Sequence, residues 1–531
     1  MLNPTYAPHG AAVAPHALAA QSALAVMREG GNAIEAMVAA AASIAVVYPH
    51  MNGIGGDGFW LIVPPGREPI GIDACGSSGR RATLEFYRER GQTAIPTRGP
   101  LAANTVAGTI SGWSEALAIA QRHGGTMPLA RLLRDAIEYA QAGIPVTRSQ
   151  HAATSAKLAE LRDQPGFADT YLVGGEAPRV ASRFKQPGLA GTLQRLADEG
   201  LESFYRGPLA RDLARDLTAA GTPLSMQDLN DQRALVVKPL RLSHTNGDVY
   251  NLPPPTQGLV SLLILGMLDR MGVSPARADA LEQIHLTVEA TKQAFTLRDR
   301  HVCDPADLTL DPQTLLNDAA LTDLARKIDR NRAAPWGAQT QPGDTIWMGV
   351  IDSTGLAVSF IQSLYHEFGS GVVAGDSGVV WQNRGASFRL QPDHLLALRP
   401  QRKPFHTLNP AAARLRDGRT LVYGTMGGDG QPQTQAAIFT RYAVFGDSAQ
   451  AAVTAPRWLL GRTWGSASDT LKLETRFEPS VVEQLSARGH VLESLNPFDE
   501  SVGHAGMLAR HPDGIVEAAA DPRSDGAAAG Y

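Results

Sequence analysis

The longest apolar run of the chain, residues 36–47, contains no charged residue. It is too short to cross a bilayer, since a membrane-spanning helix needs about 20 residues. Asn32 is suited to cap a helix that begins at Ala33, and Pro49 ends that helix after Val47. A helix with apolar residues on every side must be buried on every side. The run therefore predicts a core helix inside a sizeable globular fold.

The composition narrows the class of protein. Of the 531 residues, 44% are hydrophobic and 19% are charged, a mixture that excludes a largely disordered chain. The formal net charge of −4 argues against nucleic-acid binding, which usually needs a basic excess. Cys75 and Cys303 are too few for a disulfide framework or a cysteine zinc site. Residues 1–10 lack the features of a secretory signal, so we expect a cytoplasmic protein with no membrane or nucleic-acid partner.

Apolar residues at three- and four-residue spacing predict helices over much of the first half of the chain. These helices cover residues 17–29, 33–47, 106–121, 128–142, 189–198, 209–220 and 280–297. Short runs typical of strands come at residues 59–63, 346–351, 357–363, 372–373, 378–381, 420–423 and 472–475. An exposed loop is expected at residues 335–343, and residues 521–531 are expected to fray. The mixture predicts helices packed on the faces of extended sheets.

Several familiar motifs can be excluded. Residues 53–58 match G-x-G-x-x-G, but a helix precedes the motif and a strand follows it, which is the reverse of a dinucleotide site. A tight backbone turn is the better interpretation. The chain has no phosphate-binding loop, no H-E-x-x-H, no EF-hand loop and no G-x-S-x-G nucleophile elbow. We therefore expect neither an organic cofactor nor a metal.

The segment from Gly343 to Asp352 carries the chemistry. A polar pair precedes Thr345, which opens an apolar strand, as in a self-cleaving amidase precursor. In such a precursor the Thr345 hydroxyl attacks the carbonyl of Asp344, and hydrolysis of the resulting ester frees the α-amine of Thr345. An α-amine has a pKa of about 7.7–8.0, so it can act as the base for its own hydroxyl. A threonine at a strand start is common, however, so other motifs must decide.

Those motifs resemble the γ-glutamyltranspeptidase family, and they follow the family order over most of the chain. They are Gly30-Gly31-Asn32-Ala33, Tyr48-Pro49-His50, residues 53–59, Asn251-Leu252-Pro253-Pro254-Pro255, the Thr345 strand, Gln362-Ser363-Leu364, Phe368-Gly369-Ser370-Gly371 and Gly424-Thr425-Met426-Gly427-Gly428. The resemblance implies an N-terminal nucleophile hydrolase, with an α+β fold in the form of a four-layer αββα sandwich. It also implies cleavage into a large piece, 1–344, and a small piece, 345–531, which stay together as one intertwined domain.

The same resemblance assigns roles to residues. Asp344 and Thr345 form the cleavage site, and Thr345 is the nucleophile. Ser363 aligns with a hydroxyl that hydrogen-bonds the nucleophile. Gly427 and Gly428 align with the backbone donors of the oxyanion hole, a role that suits glycine because the backbone can approach a substrate closely. A homodimer of processed heterodimers is a further expectation.

The substrate pocket departs from the family pattern. Arg384 stands where the family has Gln, Ser387 where it has the amine-binding Asp, and Tyr365 where it has Asn. His406 and Thr407 replace a serine pair. These changes remove an anion that binds an ammonium group and add a guanidinium, which holds carboxylates in a bidentate fork. The pocket lined by these five residues is therefore expected to bind a small amide that bears a carboxylate.

Three functions remain open. The motifs at residues 362–365 and 381–385 resemble those of oxamate-hydrolysing members of the family, which implies hydrolysis of oxamate to oxalate and ammonia in purine breakdown. The first alternative is γ-glutamyl hydrolysis or transfer, or acylase action on glutaryl or cephalosporin side chains. The second is an uncleaved, inactive scaffold, because Thr345-Ile346-Trp347 stands where the family usually has Thr-Thr-His.

Overall fold

The computed structural model describes residues 3–274, 280–337, 344–461 and 468–531. Two seven-stranded sheets dominate it, and every pairing within them is antiparallel. In spatial order, the first sheet consists of β1 (Thr5–Ala7), β18 (Val516–Ala520), β17 (Ala505–Arg510), β13 (Thr420–Thr425), β12 (Ala411–Leu415), β9 (Gly247–Asn251) and β8 (Leu240–His244).

The second sheet contains the strand that begins next to the predicted cleavage site. In spatial order it consists of β19 (Ala527–Gly530), β2 (Ala11–Ala14), β10 (Asp344–Ile351), β11 (Ala357–Tyr365), β3 (Asp57–Val63), β4 (Ile70–Ala74) and β7 (Leu235–Val237). Two smaller sheets consist of β14 (Trp458–Leu460), β15 (Leu471–Glu474) and β16 (Leu492–Leu495), and of β5 (Ile144–Pro145) and β6 (Arg183–Phe184).

The α-helices of the described ranges pack on the sheets and on one another. They are α1 (Ala17–Arg28), α2 (Ala33–Val47), α3 (Leu84–Arg88), α4 (Thr109–Arg122), α5 (Leu129–Ala142), α6 (Arg148–Leu161), α7 (Phe167–Tyr171), α8 (Pro187–Glu199), α9 (Ser203–Arg206), α10 (Pro208–Ala220), α11 (Met226–Asp231), α12 (Gly258–Arg270), α13 (Ala280–His301), α14 (Asp318–Ala325), α15 (Gln431–Phe439), α16 (Ala449–Thr454) and α17 (Pro479–Ala487). Short 3-10 helices include Arg384–Ser387 and Gly428–Gly430. No helix in these described ranges is long and apolar enough to cross a membrane.

Side chains that alternate between the two faces of each sheet connect the four layers. On β3, Phe59 and Leu61 pack against residues of the opposite sheet, whereas Trp60 and Ile62 pack against the helices that include α2. A separate apolar core joins the first sheet to α12 and its neighbours. Since neighbouring strand residues face opposite sides, each sheet buries both of its faces. The predicted αββα sandwich is therefore confirmed.

Helix α2 is the central helix that the apolar run predicts. All its residues are buried. Asn32 caps it by accepting hydrogen bonds from the N–H groups of Ile34 and Glu35, and the Glu35 carboxylate accepts one from the N–H of Asn32. The predicted start at Ala33 and end at Val47 are both confirmed.

Two predictions about local structure are wrong. Residues 372–373 and 378–381 form an isolated Val373–Val380 bridge instead of strands, because the chain turns through the 3-10 helix Gly375–Ser377 between them. The chain end does not fray. Residues 527–530 form β19 on β2, and the N–H of Tyr531 donates to the carbonyl of Gly10 at 3.1 Å. Pairing with an existing strand satisfies backbone groups that water would otherwise bind. Of the expected loop at 335–343, residues 338–343 lie outside the described residues.

The buried Glu35 carboxylate gives a test of the packing around α2. Its two oxygens accept hydrogen bonds from the N–H groups of Asn32, at 2.9 Å, and Met127, at 2.7 Å. Glu35→Ala leaves both donors unsatisfied, at about 1–3 kcal/mol each. We expect Tm, measured by circular dichroism, to fall clearly for Glu35→Ala and less for Glu35→Gln, which keeps one acceptor. Equal Tm values for Glu35→Ala and the wild type would contradict this account.

Candidate active site

Thr345 lies at the second residue of β10, where the pairing with β11 slips by one residue. Ser363 and Leu364 of β11 therefore both oppose Thr345, which forms a β-bulge. The Thr345 side chain is buried, and its Oγ1 donates a hydrogen bond to the carbonyl oxygen of Gln362 at 2.8 Å. Bulges re-aim side chains near active sites. The predicted nucleophile thus occupies a defined position at the end of a central strand.

Ser363 lies directly across the sheet from that nucleophile and is also buried. Its Oγ accepts a hydrogen bond from the N–H of Tyr365 at 2.8 Å. The Gly-rich loop before β3 packs against the same residue, and a Cβ on Gly56 would come within 2.0 Å of the carbonyl oxygen of Ser363. Only glycine allows this approach. The motif at 53–58 is therefore the predicted tight turn, packed against the strand that faces Thr345.

Tyr365 ends β11 in an unusual backbone conformation. Its φ is +86°, a region that bulky side chains rarely adopt and that costs about 1–3 kcal/mol. The guanidinium carbon of Arg384 lies 3.7 Å from the centre of the Tyr365 ring. This is a cation–π contact, and it is favourable because the site is shielded from water. Such strain clusters at functional sites.

Arg384 opens the 3-10 helix Arg384–Ser387 and is only 1% exposed. Its Nη2 donates a hydrogen bond to Oγ1 of Thr407 at 3.2 Å, whereas Nε and Nη1 have no hydrogen-bond partner within the described ranges. Burial lowers the pKa of Arg384, and the nearby Tyr365 and Asp57 oppose that shift. An arginine nevertheless stays protonated in proteins. The site therefore holds a buried cation with donors to spare.

His406 pairs with an acidic residue that the sequence analysis did not single out. Its Nε2 lies 2.8 Å from Oδ2 of Asp57, and both side chains are fully buried. Burial holds the pKa of His406 well below its usual value, and the Arg384 charge adds to this effect. Nδ1 of His406 has no hydrogen-bond partner in the described part of the chain. A neutral imidazole offers one donor and one acceptor.

Asp57 joins four separate parts of the chain. Oδ1 accepts hydrogen bonds from the N–H groups of Gly76 and Gly108 and from Nε2 of Gln382, each at 3.0 Å, and Oδ2 faces His406. Burial raises the pKa of Asp57 to about 7. Ligand atoms of Asp57, Cys75 and His406 lie within 4.8 Å of one another, and all three residue types are able to bind a metal ion. Both carboxylate oxygens already accept hydrogen bonds, however, so the arrangement serves as a structural hub.

The remaining pocket residues lie beside this pair. Thr407 follows His406 and accepts the hydrogen bond from Arg384. Ser387 ends the 3-10 helix that Arg384 begins, and its buried Oγ has no hydrogen-bond partner within the described ranges. The structure thus brings together the five residues that the sequence predicts for the pocket. It adds Asp57, whose only sequence signal is its position as the acidic residue of a Gly-rich turn.

Gly427 and Gly428 form a turn at the end of β13. Their φ values are +112° and +54°, which glycine adopts readily. The N–H of Gly430 donates to the carbonyl of Gly427 at 2.8 Å, which fixes the peptide that carries the N–H of Gly428. Nε2 of Gln257 donates hydrogen bonds to the carbonyls of both Gly428 and Thr407, which holds this loop beside a residue of the predicted pocket. The loop predicted to bind the oxyanion is thus adjacent to the pocket.

Comparisons with known proteins agree with this geometry. The sequence model of the family described as gamma-glutamyltranspeptidase matches residues 19–531. The chain is 63% identical over 524 residues to an oxamate amidohydrolase proenzyme of Klebsiella pneumoniae, with 98% of each chain covered. It is 38% identical over 519 residues to a glutathione hydrolase-like proenzyme of Bacillus subtilis, again with 98% of each covered.

Solved structures support the same assignment. The crystal structure of a cephalosporin acylase from Bacillus halodurans superposes with a TM-score of 0.91 at 32% identity, covering 100% of this chain and 97% of the other. These similarities confirm the N-terminal nucleophile hydrolase fold and an enzyme that hydrolyses amide bonds. Together, the matched length and the identities show that the chain belongs to the γ-glutamyltranspeptidase family.

Proposed function

We propose that this enzyme hydrolyses oxamate to oxalate and ammonia. The observation that carries the proposal is the buried guanidinium of Arg384, whose Nε and Nη1 have no hydrogen-bond partner in the described ranges. A buried cation with unsatisfied donors is costly unless an anion pairs with it. A carboxylate matches a guanidinium fork in both charge and geometry. The identity to the Klebsiella pneumoniae oxamate amidohydrolase proenzyme supports the same substrate.

The active enzyme forms by cleavage of its own chain between Asp344 and Thr345. The Thr345 hydroxyl attacks the carbonyl carbon of Asp344, the peptide C–N bond breaks, and the acyl group passes to the hydroxyl oxygen as an ester. Water hydrolyses this ester and leaves a free α-amine on Thr345. The products are the large piece, 1–344, and the small piece, 345–531. The proenzyme names of the relatives support this maturation.

Hydrolysis of the substrate repeats this chemistry. The α-amine of Thr345 accepts the hydroxyl proton while the oxygen attacks the amide carbon. The N–H groups of Gly427 and Gly428 stabilise the oxyanion, and Ser363 orients the nucleophile. The amine then returns the proton to the leaving nitrogen, which departs as ammonia, and water releases oxalate from the Thr345 ester. Throughout these steps Arg384 holds the substrate carboxylate.

The pocket walls favour a small substrate. The Tyr365 ring covers one face of the Arg384 guanidinium, so a ligand approaches this cation through its edge, where the nitrogen donors lie. Ser387, His406 and Thr407 supply further polar atoms around it. No carboxylate stands in the position of Ser387, so the ammonium group of a γ-glutamyl substrate lacks the partner that the family usually provides.

Two parts of the proposal concern the protein beyond its site. Cys75 and Cys303 are both buried free thiols, which suits the reducing cytoplasm that we propose as its compartment. Pairing of two processed molecules into a homodimer stays a prediction.

Maturation is tested with Thr345→Ala and Thr345→Ser. We expect the wild type to show two bands on a denaturing gel, with the small piece beginning at Thr345 by intact-mass analysis. Thr345→Ala removes the attacking hydroxyl and should give one intact band without activity, whereas Thr345→Ser keeps a hydroxyl and should still cleave. An intact wild-type chain with full activity, or a cleaved Thr345→Ala chain, contradicts the mechanism.

The substrate is tested with a panel of amides. We expect purified, cleaved enzyme to release ammonia from oxamate in a coupled assay and to leave a γ-glutamyl anilide and glutaryl or cephalosporin amides intact. The reason is that Arg384 offers a cation for a carboxylate, Ser387 stands where the family has the carboxylate that binds an ammonium group, and the Tyr365 ring limits the size of the acyl group. The reverse pattern supports the γ-glutamyl or acylase alternative, and no turnover of any amide by the cleaved enzyme supports a scaffold.

Arg384→Gln places the residue usual for the family in this position. We expect kcat/KM for oxamate to fall by about 10- to 150-fold, or about 1.5–3 kcal/mol, the scale of a hydrogen bond to a charged group. The kcat/KM for oxamide, which has the same shape without the carboxylate, should fall much less. Arg402→Gln is the matched control, because Arg402 is also buried but donates to the carbonyls of Leu395 and Ala397. Equal losses on both amides would remove Arg384 from the carboxylate site.

A further inference from the structure

Gln257 joins the pocket to the oxyanion loop. It lies immediately before α12 and is fully buried. Its Nε2 donates one hydrogen bond to the carbonyl of Thr407 at 3.0 Å and another to the carbonyl of Gly428 at 2.9 Å. A single side-chain amide therefore holds two backbone segments that are distant in sequence.

Further contacts hold Gln257 itself in place. Its N–H donates to the carbonyl of His406 at 2.9 Å, and the N–H of His406 donates to the carbonyl of Pro255 at 2.8 Å. Oε1 of Gln257 faces Nη1 of Arg298 at 3.5 Å. Nη1 also forms a buried ion pair with Asp429 at 2.9 Å. These contacts thus hold the Gln257 side chain in one orientation.

The oxyanion loop needs this support from outside. Gly427 and Gly428 both have positive φ values, and glycine has a wider choice of backbone conformations than any other residue. The bond from Gly430 fixes the carbonyl of Gly427, while Gln257 fixes the carbonyl of Gly428. An oxyanion hole works only when its donors point at the developing charge before the reaction begins.

We propose that Gln257 is a positioning residue that couples the carboxylate anchor to the oxyanion loop. A continuous chain of hydrogen bonds runs from Arg384 to Thr407, from the carbonyl of Thr407 to Gln257, and from Gln257 to Gly428. A carboxylate on Arg384 thereby stabilises the arrangement that also presents the oxyanion donors. This inference rests on the proposed function, and Arg298 supports it through Asp429.

The coupling predicts an effect on turnover more than on binding. Gln257→Met keeps the length of the side chain and removes both donors. We expect kcat to fall by about 10-fold or more with KM changed by less than about 3-fold, since small misplacements of reacting groups cost up to about 100-fold. The matched control is Gln450→Met. This variant also removes hydrogen bonds of a buried side-chain amide, to Thr454 and Ala520, but away from the site. Its kcat should match the wild type.

Two readouts separate positioning from general stability. In a double-mutant cycle, independent effects of Arg384→Gln and Gln257→Met would multiply. We expect the loss of kcat/KM in the double variant to be at least about 5-fold smaller than that product. Gln257→Glu keeps the shape, and its carboxyl group can donate a hydrogen bond only when it is protonated. Its kcat relative to the wild type at the same pH should therefore rise as the pH falls. A merely structural role predicts neither result.

All rates are expressed per mole of cleaved chain. If Gln257→Met is not cleaved, the pH dependence of Gln257→Glu is the deciding measurement. Additive losses in the cycle, a pH-independent Gln257→Glu, or a Gln257→Met variant with unchanged kcat each overturn the inference. The assays use the carboxylated amide that the wild type hydrolyses fastest. A wild type that prefers a carboxylated amide other than oxamate overturns the proposed substrate and leaves this test intact.

Discussion

The carboxylate of Asp57 is the interaction on which the rest of the site depends. Asp57 begins β3 opposite Ser363, so this buried carboxyl group lies beside β11, the strand that pairs with the strand of Thr345. Its hydrogen bonds hold Gly76, Gly108, Gln382 and His406, which come from four different segments. Burial disfavours the charge and raises the pKa of the group to about 7, even though the hydrogen bonds from Gly76, Gly108 and Gln382 lower it. Those donors offset part of that cost, and through them one carboxyl group connects four segments of the site.

The charges around Asp57 are consistent with the proposed substrate, a small amide that bears a carboxylate. Asp429 is neutralised by Arg298 at 2.9 Å, and His406 is kept neutral by burial beside Asp57. Arg384 is a buried cation of this site whose Nε and Nη1 have no hydrogen-bond partner among the described residues. Specificity then follows from what the protein leaves unpaired, because a ligand that supplies the missing anion removes a desolvation cost that other ligands leave in place. The Tyr365 ring limits the size of such a ligand by covering one face of the guanidinium.

Local signals predicted much of this structure, and long-range partners account for what they missed. The cap at Asn32, the strand after Asp352-Ser353-Thr354-Gly355 and the tight turn closed by the hydrogen bond from Gly56 to Gly53 all depend on neighbours in sequence, and all are confirmed. The roles of Asp57 and Gln257 could not be predicted from neighbouring residues, because their partners His406 and Gly428 lie 349 and 171 residues away. The frayed end was a wrong prediction for the same reason, since β2 supplies its pairing from the other end of the chain. The positive φ of Tyr365 likewise depends on tertiary contacts, because an aromatic residue by itself prefers a negative φ.

The strand order also shows why a cut before Thr345 need not separate the pieces. In the second sheet, β10 and β11 of the small piece lie between β2 and β3 of the large piece, and in the first sheet β12 pairs with β9 in the same way. Each sheet therefore contains paired strands from both proposed pieces. Separation would expose unpaired backbone groups together with the apolar core between the sheets. The proposed cleavage therefore gives Thr345 a free amine while β10 and β11 keep their neighbouring strands.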